Sequence, residues 1–338
     1  MGQPNGDHIY SDTEDDMDEL TIADRDLQVE AMSSELSDNT RKAYQKGWSR
    51  FTDYCAAEGI GDPLSVPPDR VARFFVRLAT GASPKSGVTP SMGTVMLYKS
   101  AVNKKYLEVG KPSPTSHPVV RATLKGLARL KGSSSRKVEA LREYHIESML
   151  RACPKTLIGK RDAAIIAVGF AGALRRSEIC NLVLDDVEFL DSSGVDGDRM
   201  WITIRQSKTD QQGKGQRIAI LDGKAIRPIT HLRLWLESSG ITRGPVFQTM
   251  KRGGHLRGKP MHHSDIPRIL KQYAAHIGLD PKDIAGHSLR AGFVTSAAVH
   301  HARLDKIMAV SRHTNPATVM GYIRDADAFA DHAGQRFL

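Results

Sequence analysis

The chain has 338 residues, 40% hydrophobic and 25% charged, a balance typical of folded proteins, and its length predicts two domains. It contains no run of about 18 apolar residues and no basic segment leading into an apolar one at its start, so we expect neither a membrane span nor a secretory signal. Its three cysteines are too few and too far apart for a disulfide framework or a paired-cysteine zinc site, which favours a reducing, cytoplasmic environment (Cys55, Cys153 and Cys180).

Charge is distributed unevenly along the chain. Residues 1–30 hold ten acids and one base, a net charge of −9, which leaves +19 on the remainder of a chain whose total is +10. A body this basic indicates a polyanionic partner, and nucleic acid is the usual one. We predict that residues 1–30 form a disordered acidic tail, which either competes with nucleic acid for the basic body or only keeps the chain in solution.

Residues 31–131 are predicted to form a small helical domain. Its four helices are expected at 37–59, from Pro67 onward, at about 91–109 and at about 117–131, each with one apolar stripe. Basic residues dominate the polar faces of three of these helices. We therefore predict a core DNA-binding domain whose phosphate contacts are Arg41, Lys42, Lys46, Lys99, Lys104, Lys105, Arg121 and Lys125.

A short polar linker, residues 132–138, separates this domain from a second one at 139–338. Apolar helices are expected at 162–171 and 174–182, followed by a β-hairpin with strands at 200–206 and 216–221. Further helices are expected at about 228–238, 264–277, 288–300, 304–311 and 315–334. The predicted fold class is therefore mainly α with a small antiparallel β-sheet (α+β).

Several common catalytic motifs are absent from the sequence. It has no GxxxxGK[ST] loop for a nucleoside triphosphate, no GxGxxG after a strand, and no HExxH or Cys/His set with zinc spacing. His255, His262 and His263 lie in a basic, polar segment, and we interpret them as solvated or phosphate-facing rather than as metal ligands. A magnesium site of three carboxylates stays open, although the acids of the second domain do not cluster at strand ends. We expect no metal and no cofactor.

A set of cations and one tyrosine remains. Arg175 lies in the segment Leu-Arg-Arg-Ser-Glu, and His287 and Arg290 form a His-x-x-Arg pair that shares one face at the start of a predicted helix. Lys208 ends the first hairpin strand, and Tyr322 is the last tyrosine of the chain. Each residue alone has an ordinary structural interpretation, as a helix cap, an ion pair, a turn lysine or a core tyrosine. Their combined order and spacing indicate a shared site.

These segments resemble the tyrosine recombinase (phage integrase) family. The resemblance extends over about residues 37–338, and its segments Gly-His-Ser-x-Arg and Thr-Asn-x-x-x-Val-Met-x-Tyr-Ile-Arg are similar to those of Cre and its relatives. Carried over position by position, the family's functional residues are Arg175, Lys208, His287, Arg290, His313 and Tyr322, with Glu178 as a supporting acid.

The resemblance implies a site-specific recombinase that cleaves and rejoins DNA through a covalent 3′-phosphotyrosine on Tyr322. Arg175 and Arg290 are assigned to clamp the non-bridging phosphate oxygens, and His313 to add a hydrogen bond. The bond formed is close in energy to the bond broken, which agrees with the missing nucleotide-binding loop.

Two proton transfers complete this scheme. The ordinary pKa of a tyrosine is about 10, so the phenol needs a proton acceptor at neutral pH, and His287 is the candidate. Lys208 is assigned to protonate the leaving 5′-oxygen, with Lys214 of the same hairpin as the alternative. No step requires a metal.

The resemblance also implies how the protein assembles. Two domains close around double-stranded DNA as a C-shaped clamp, and a homotetramer forms on two specific recombination sites to integrate, excise or resolve DNA. The segment after Tyr322 packs into a neighbouring protomer. An apolar strip suits such docking, although a strip packed within one chain has the same pattern (Ala326, Phe329, Ala330 and Ala333).

Two other readings of the sequence are open. A type IB topoisomerase or a telomere resolvase uses the same set of residues with a different outcome. A DNA-binding protein that has lost catalysis is a third class, which the complete residue set disfavours.

Overall fold

The structure is a computed structural model that describes residues 36–81, 89–132, 138–190, 197–205, 215–251 and 253–326. The described residues divide into two compact units, one up to residue 132 and one from residue 138 onward. The predicted acidic tail and most of the predicted linker lie outside the described residues. Within those residues, no helix combines the length and the apolar character needed to cross a membrane.

The described part of the first unit contains four α-helices and one short 3-10 helix (Pro114–Ser116). The α-helices are α1 (Asp38–Ala57), α2 (Pro68–Thr80), α3 (Met92–Glu108) and α4 (Pro118–Lys131), with α1 packed against α3 and α2 against α4. The hydroxyls of Ser37 and Ser91 accept hydrogen bonds from the first turns of α1 and α3, and prolines begin α2 and α4, where no amide hydrogen is needed.

The buried face of α1 differs from the predicted stripe. Tyr44 and Trp48 are only partly buried, whereas Gly47 is buried. A Cβ atom on Gly47 would lie 2.9 Å from the Cβ of Ala101, so α1 and α3 approach each other where the first helix has no side chain. Because of this close approach, Gly47 lies on the buried face of α1. The spacing of hydrophobic residues alone does not predict this, since glycine has no apolar side chain.

The second unit is helical with two small antiparallel sheets, and the predicted fold class is confirmed. Its helices are α5 (Glu143–Ala152), α6 (Leu157–Ala171), α7 (Arg176–Asn181), α8 (Pro228–Ser239), α9 (Asp265–His276), α10 (Ser288–Val299), α11 (Leu304–Ser311) and α12 (Pro316–Ala326). Strands β1 (Val187–Leu190), β2 (Arg199–Ile204) and β3 (Gln216–Leu221) form one sheet in that order, and β4 (Gln248–Met250) pairs with β5 (Leu256–Pro260).

One predicted helix is shorter than expected. The helix predicted at 174–182 spans only Arg176–Asn181, because Ala173 has a left-handed φ of 45° and Arg175 is extended (φ −74°, ψ 151°). Helix α5 and strands β1, β4 and β5 were not predicted from the sequence. The part of the last predicted helix beyond residue 326 lies outside the described residues.

Gly292 on α10 marks a tight contact beside the candidate site. The Leu141 amide donates to the Ser288 carbonyl at 3.1 Å, and a Cβ on Gly292 would lie 1.9 Å from the Leu141 carbonyl oxygen. The segment before α5 therefore lies directly on α10.

Gly292→Ala is expected to lower the free energy of unfolding by about 2–4 kcal/mol, because backbone must move to admit the methyl group. Urea unfolding measures this. Gly126→Ala on α4 is the matched control: its Cβ would meet nothing within 4 Å, so it is expected to be neutral or stabilising by up to about 1 kcal/mol. Equal unfolding midpoints for the Gly292 variant and the unaltered chain would contradict the contact.

Candidate active site

Four segments of the second unit carry the predicted catalytic residues. Arg175 precedes the first turn of α7, His287 and Arg290 begin α10, His313 follows α11, and Tyr322 lies on α12. Besides burial, the charges of Arg175 and Tyr322 act on the pKa of Arg290, and those of Arg290 and His287 act on the pKa of His313. The fold thus brings these five side chains into one electrostatic environment.

Glu178 links two arginines at the centre of the site. One carboxylate oxygen accepts a hydrogen bond from Arg175 Nη1 at 2.6 Å, and the other accepts one from Arg312 Nη2 at 2.6 Å and one from the Arg175 amide at 2.8 Å. The Glu178 side chain is 1% exposed. A buried carboxylate is stable only when paired, so this pairing fixes the position of Arg175.

Arg290 is buried with incomplete hydrogen bonding. Its Nη1 donates to the Ala173 carbonyl at 3.0 Å, while its Nη2 has no hydrogen-bond partner among the described residues. Burial, followed by the charges of Arg175 and Arg312, lowers the pKa of Arg290 to about 9, so the guanidinium keeps its proton at neutral pH. A buried donor without an acceptor is costly, and an anionic oxygen is the partner that stabilises it best.

His313 and Tyr322 lie next to each other beside this cluster. Their ring centroids are 6.4 Å apart, and His313 Nδ1 lies 2.9 Å from the Ser311 hydroxyl. Burial and then the charges of Arg290 and Arg175 lower the pKa of His313 to about 4. The imidazole is therefore neutral at pH 7 and can donate one hydrogen bond without adding charge.

The depressed pKa of His313 predicts a pH dependence of stability. Between pH 6.5 and 4 the unfolded chain binds a proton at His313 and the folded chain does not, so the unfolding free energy falls as the pH drops through this window. We expect His313→Asn to remove about 1–2 kcal/mol of the difference between pH 7.5 and pH 5.0. Urea unfolding of both proteins at the two pH values measures it, and an identical difference in both would contradict the assignment.

Tyr322 is held by a small apolar cluster between α10, α11 and α12. The buried members of this cluster are Val294, Ala298, Ile307 and Val319, and the tyrosine ring packs against them while remaining partly exposed. The nucleophile candidate thus has a defined position and an accessible face. Its own chain supplies the arginines around it.

Lys208 and its alternative Lys214 lie outside the described residues. The described base of their hairpin is nevertheless close to the site, because Gln216 and Arg217 line a cavity of about 320 Å³ together with Arg312, His313 and the neighbouring Met308, Ala309 and Thr314.

Arg312 is the residue that sequence reasoning missed. It is 5% exposed, and its guanidinium lies between Glu178 and the backbone of the turn before α7. Its position directly before His313 was the only available signal. Arg176, by contrast, is exposed, so Arg175 is the inward member of the adjacent pair.

The histidines interpreted as solvated or phosphate-facing do not form a ligand set in the structure. The rings of His262 and His263 lie 4.0 Å apart, and His262 Nδ1 lies 2.7 Å from the Ser264 hydroxyl. Over the described ranges, no group of three or more His, Cys, Asp or Glu side chains is arranged to hold a metal ion.

The predicted DNA contacts lie on the polar faces of the first unit. Two are half-buried, Lys99 and Lys104, and the other six are exposed (Arg41, Lys42, Lys46, Lys105, Arg121 and Lys125). Arg41 lies 3.7 Å from Asp38, and Lys105 pairs with Glu108 at 2.7 Å. Exposed cations therefore lie on α1, α3 and α4.

A second basic group on α2 was not predicted. Arg70 and Arg73 lie 3.1 and 3.8 Å from the Glu58 carboxylate, which also pairs with Arg77. Their side chains remain about half exposed, so three cations around one carboxylate leave this face of α2 positive.

Known proteins match both the sequence and the fold. Residues 139–328 match the phage integrase family. The chain belongs to this family. It is 33% identical to an integrase/recombinase xerD homolog of Selenomonas ruminantium over 89% of this chain and 85% of that protein, and 26% identical to a tyrosine recombinase of Thermosipho africanus over 86% and 90%.

Solved structures of the same fold include the XerH site-specific recombinase bound to palindromic difH substrate in a post-cleavage complex (TM-score 0.62, 16% identity, 85% of this chain and 76% of that one). A λ integrase dimer bound to a COC′ core site matches with a TM-score of 0.57 and 15% identity over 90% and 94%. This member of the phage integrase family is a tyrosine site-specific recombinase. One of the two relatives above is named a xerD homolog, so the likeness to Cre is a likeness of motifs.

Proposed function

We propose that this recombinase exchanges DNA strands at a specific target site through a 3′-phosphotyrosine formed on Tyr322. The observation that carries the proposal is Arg290, a buried guanidinium with a free Nη2 beside Arg175, His313 and Tyr322. A scissile phosphate supplies the acceptor that this donor lacks among the described residues.

The charge of the site suits the transition state of this reaction. Arg175, Arg290 and Arg312 carry three positive charges and Glu178 one negative charge, a net +2 while His313 is neutral. A phosphodiester bears one negative charge and approaches two as phosphorus becomes five-coordinate. Fixed cations aimed at that developing charge stabilise the transition state more than the ground state.

The bonds exchange one for one in each step. The Tyr322 oxygen forms a bond to phosphorus as the bond from phosphorus to the 5′-oxygen breaks, and the tyrosine proton passes to His287. Lys208 gives a proton to the leaving 5′-oxygen. In the second step, a 5′-hydroxyl of the partner strand attacks the phosphotyrosine and releases the tyrosine. The reaction therefore consumes no ATP, and no step requires a metal.

The first domain, residues 31–131, is proposed to bind the duplex through the cations of α1, α3 and α4, with 132–138 as the linker to the catalytic domain at 139–338. Arg41, Lys42 and Lys46 support this role, because they are exposed along one helix. Closure of both domains around DNA gives a clamp. Phosphate contacts of this kind release counterions, so affinity should fall steeply with salt.

A homotetramer on two copies of the site is proposed to carry out the exchange, with the segment after Tyr322 docking on a neighbour. Cleavage of two duplexes needs four nucleophiles, which supports four protomers. The part of this segment beyond residue 326 lies outside the described residues.

The experiment that tests this function captures the covalent intermediate. The full chain is incubated with a pool of duplexes of randomised sequence, adducts that resist detergent are isolated, and the attached DNA is sequenced. We expect a defined target with inverted repeats and EDTA-resistant adducts. Adducts that form only with added metal, or none at all, would overturn the proposal.

The same assay distinguishes a recombinase from the other candidate functions. A type IB topoisomerase would form adducts at many unrelated sequences and relax supercoiled plasmid, and a telomere resolvase would leave covalently closed hairpin ends. A catalytically inactive DNA-binding protein would enrich a sequence without any adduct.

A further inference from the structure

We infer that Arg312 is a positioning residue that holds both clamp arginines, Arg175 and Arg290, in place for the reaction. This inference rests on the proposed function. It adds Arg312, which is not among the residues carried over from the family's motifs. Arg312 does not itself bind the scissile phosphate in this scheme. It acts by holding Arg175 and Arg290, so it is distinct from the clamp.

The contacts of Arg312 meet the supports of both clamp residues. Its Nη2 donates to Glu178 at 2.6 Å, and the same carboxylate accepts from Arg175. Its Nη1 donates to the Gly172 carbonyl at 3.1 Å, and the adjacent Ala173 carbonyl accepts from Arg290 at 3.0 Å. One guanidinium therefore fixes the carboxylate under Arg175 and the turn under Arg290.

The backbone of Arg312 has a conformation that disfavours any side chain. Arg312 ends α11 in the left-handed conformation (φ 55°, ψ 40°), where glycine is the easiest residue to accommodate. Ala173, at the other end of the contact, is also a non-glycine residue with positive φ. Two strained positions that meet across the site are typical of a functional constraint rather than of a free surface.

Burial makes the linkage rigid. The Arg312 and Glu178 side chains are 2% and 1% exposed, and a second acceptor, the Val310 carbonyl, lies 2.8 Å from Arg312 Nη1. Its Nη2 also donates to the Ala173 carbonyl at 3.4 Å. Planar guanidinium donors directed at a carboxylate and three carbonyls restrict rotation in a way that a lysine ammonium does not.

The test compares Arg312→Gly with Arg227→Gly. Arg227 has the same left-handed backbone (φ 50°) but an exposed side chain at the start of α8, where it lies 3.7 Å from Asp222. It is therefore the matched control for replacing an arginine with positive φ by glycine. Single-turnover adduct formation is measured at saturating DNA on a nicked duplex of the captured target. We expect R312G to cleave about 10- to 100-fold more slowly and R227G to match the unaltered chain. An R312G chain that cleaves at the rate of R227G would overturn the inference.

A double-variant cycle separates positioning from general stability. Because Arg312 acts partly through Glu178, R312G combined with E178Q is expected to lose less than the product of the two single losses, whereas independent structural effects multiply. R312K, which keeps the charge, should recover part of the rate, to within about tenfold of the unaltered chain. Multiplying losses, or no recovery by lysine, would show a merely structural role.

Two controls keep the outcomes distinct. If R312G melts far below R227G, R312K is compared with R312Q instead: faster cleavage by R312K supports the inference, and equal rates contradict it. The unaltered chain is assayed first. If the unaltered chain forms no adduct, the proposed function is contradicted. If the unaltered chain and R312G form adducts at equal rates, only this inference is contradicted.

Discussion

Tyr322→Phe is expected to abolish the covalent adduct while DNA binding stays within about twofold of the unaltered chain. The substitution removes one oxygen and keeps the ring, which packs against Val294 and Val319, so the fold has no reason to change. Removal of a nucleophile elsewhere costs on the order of 10⁶ in rate, which here places cleavage below detection. Denaturing gels of the protein with a nicked duplex measure the adduct, and a mobility shift measures binding.

Tyr144→Phe is the matched control for this experiment. Tyr144 lies on α5 and is 50% exposed, outside the cluster around Tyr322. It loses the same atom and is expected to keep full activity. Adduct formation by the Tyr322 variant would remove this residue from its role and direct attention to another hydroxyl.

Arg290→Ala is the second large effect, with cleavage expected to fall about 10²–10³-fold while DNA affinity changes by less than about threefold. In the proposed reaction the buried guanidinium contributes a fixed donor to the transition state, and its Nη2, which has no partner among the described residues, is the group proposed to bind the phosphate. The many exposed cations elsewhere dominate affinity, which therefore changes little. Single-turnover cleavage and a binding titration, both at one salt concentration, separate the two quantities.

Arg176→Ala is the control for the loss of a positive charge, because Arg176 is exposed beside Arg175. It is expected to weaken binding slightly and leave the cleavage rate of bound DNA unchanged. Arg290→Lys tests geometry, since it keeps the charge but not the two-pronged donor. Equal losses of binding and cleavage in Arg290→Ala would make Arg290 an ordinary DNA contact.

The helices of the first unit were predictable because their information is local. A serine or a proline at the helix start and an apolar residue every three or four positions define α2, α3 and α4 within a few residues of their observed bounds. The buried face of α1 was only partly predictable, because Gly47 is buried by the approach of another helix and not by its own hydrophobicity.

The missed elements lack local signals. Strand β5 contains Gly258 and Pro260, which disfavour strands, and it forms because β4 pairs with it. Strand β1 has four residues, too few for a clear alternation, and is defined by its register with β2. Helix α5 begins after Arg142, which is not a usual capping residue.

The residue types and their spacing determined the chemistry of this protein: a tyrosine, a histidine nine positions before it, a His-x-x-Arg pair and an arginine beside Ser-Glu predict the family and the reaction. Only the tertiary structure showed that Arg312 shares the Glu178 carboxylate with Arg175. Arg312 and Glu178 are 134 positions apart, and they meet because the turn before α7 packs against the end of α11. Local patterns encode helices and motifs. Burial of a charged pair depends instead on which distant segments pack together and exclude water.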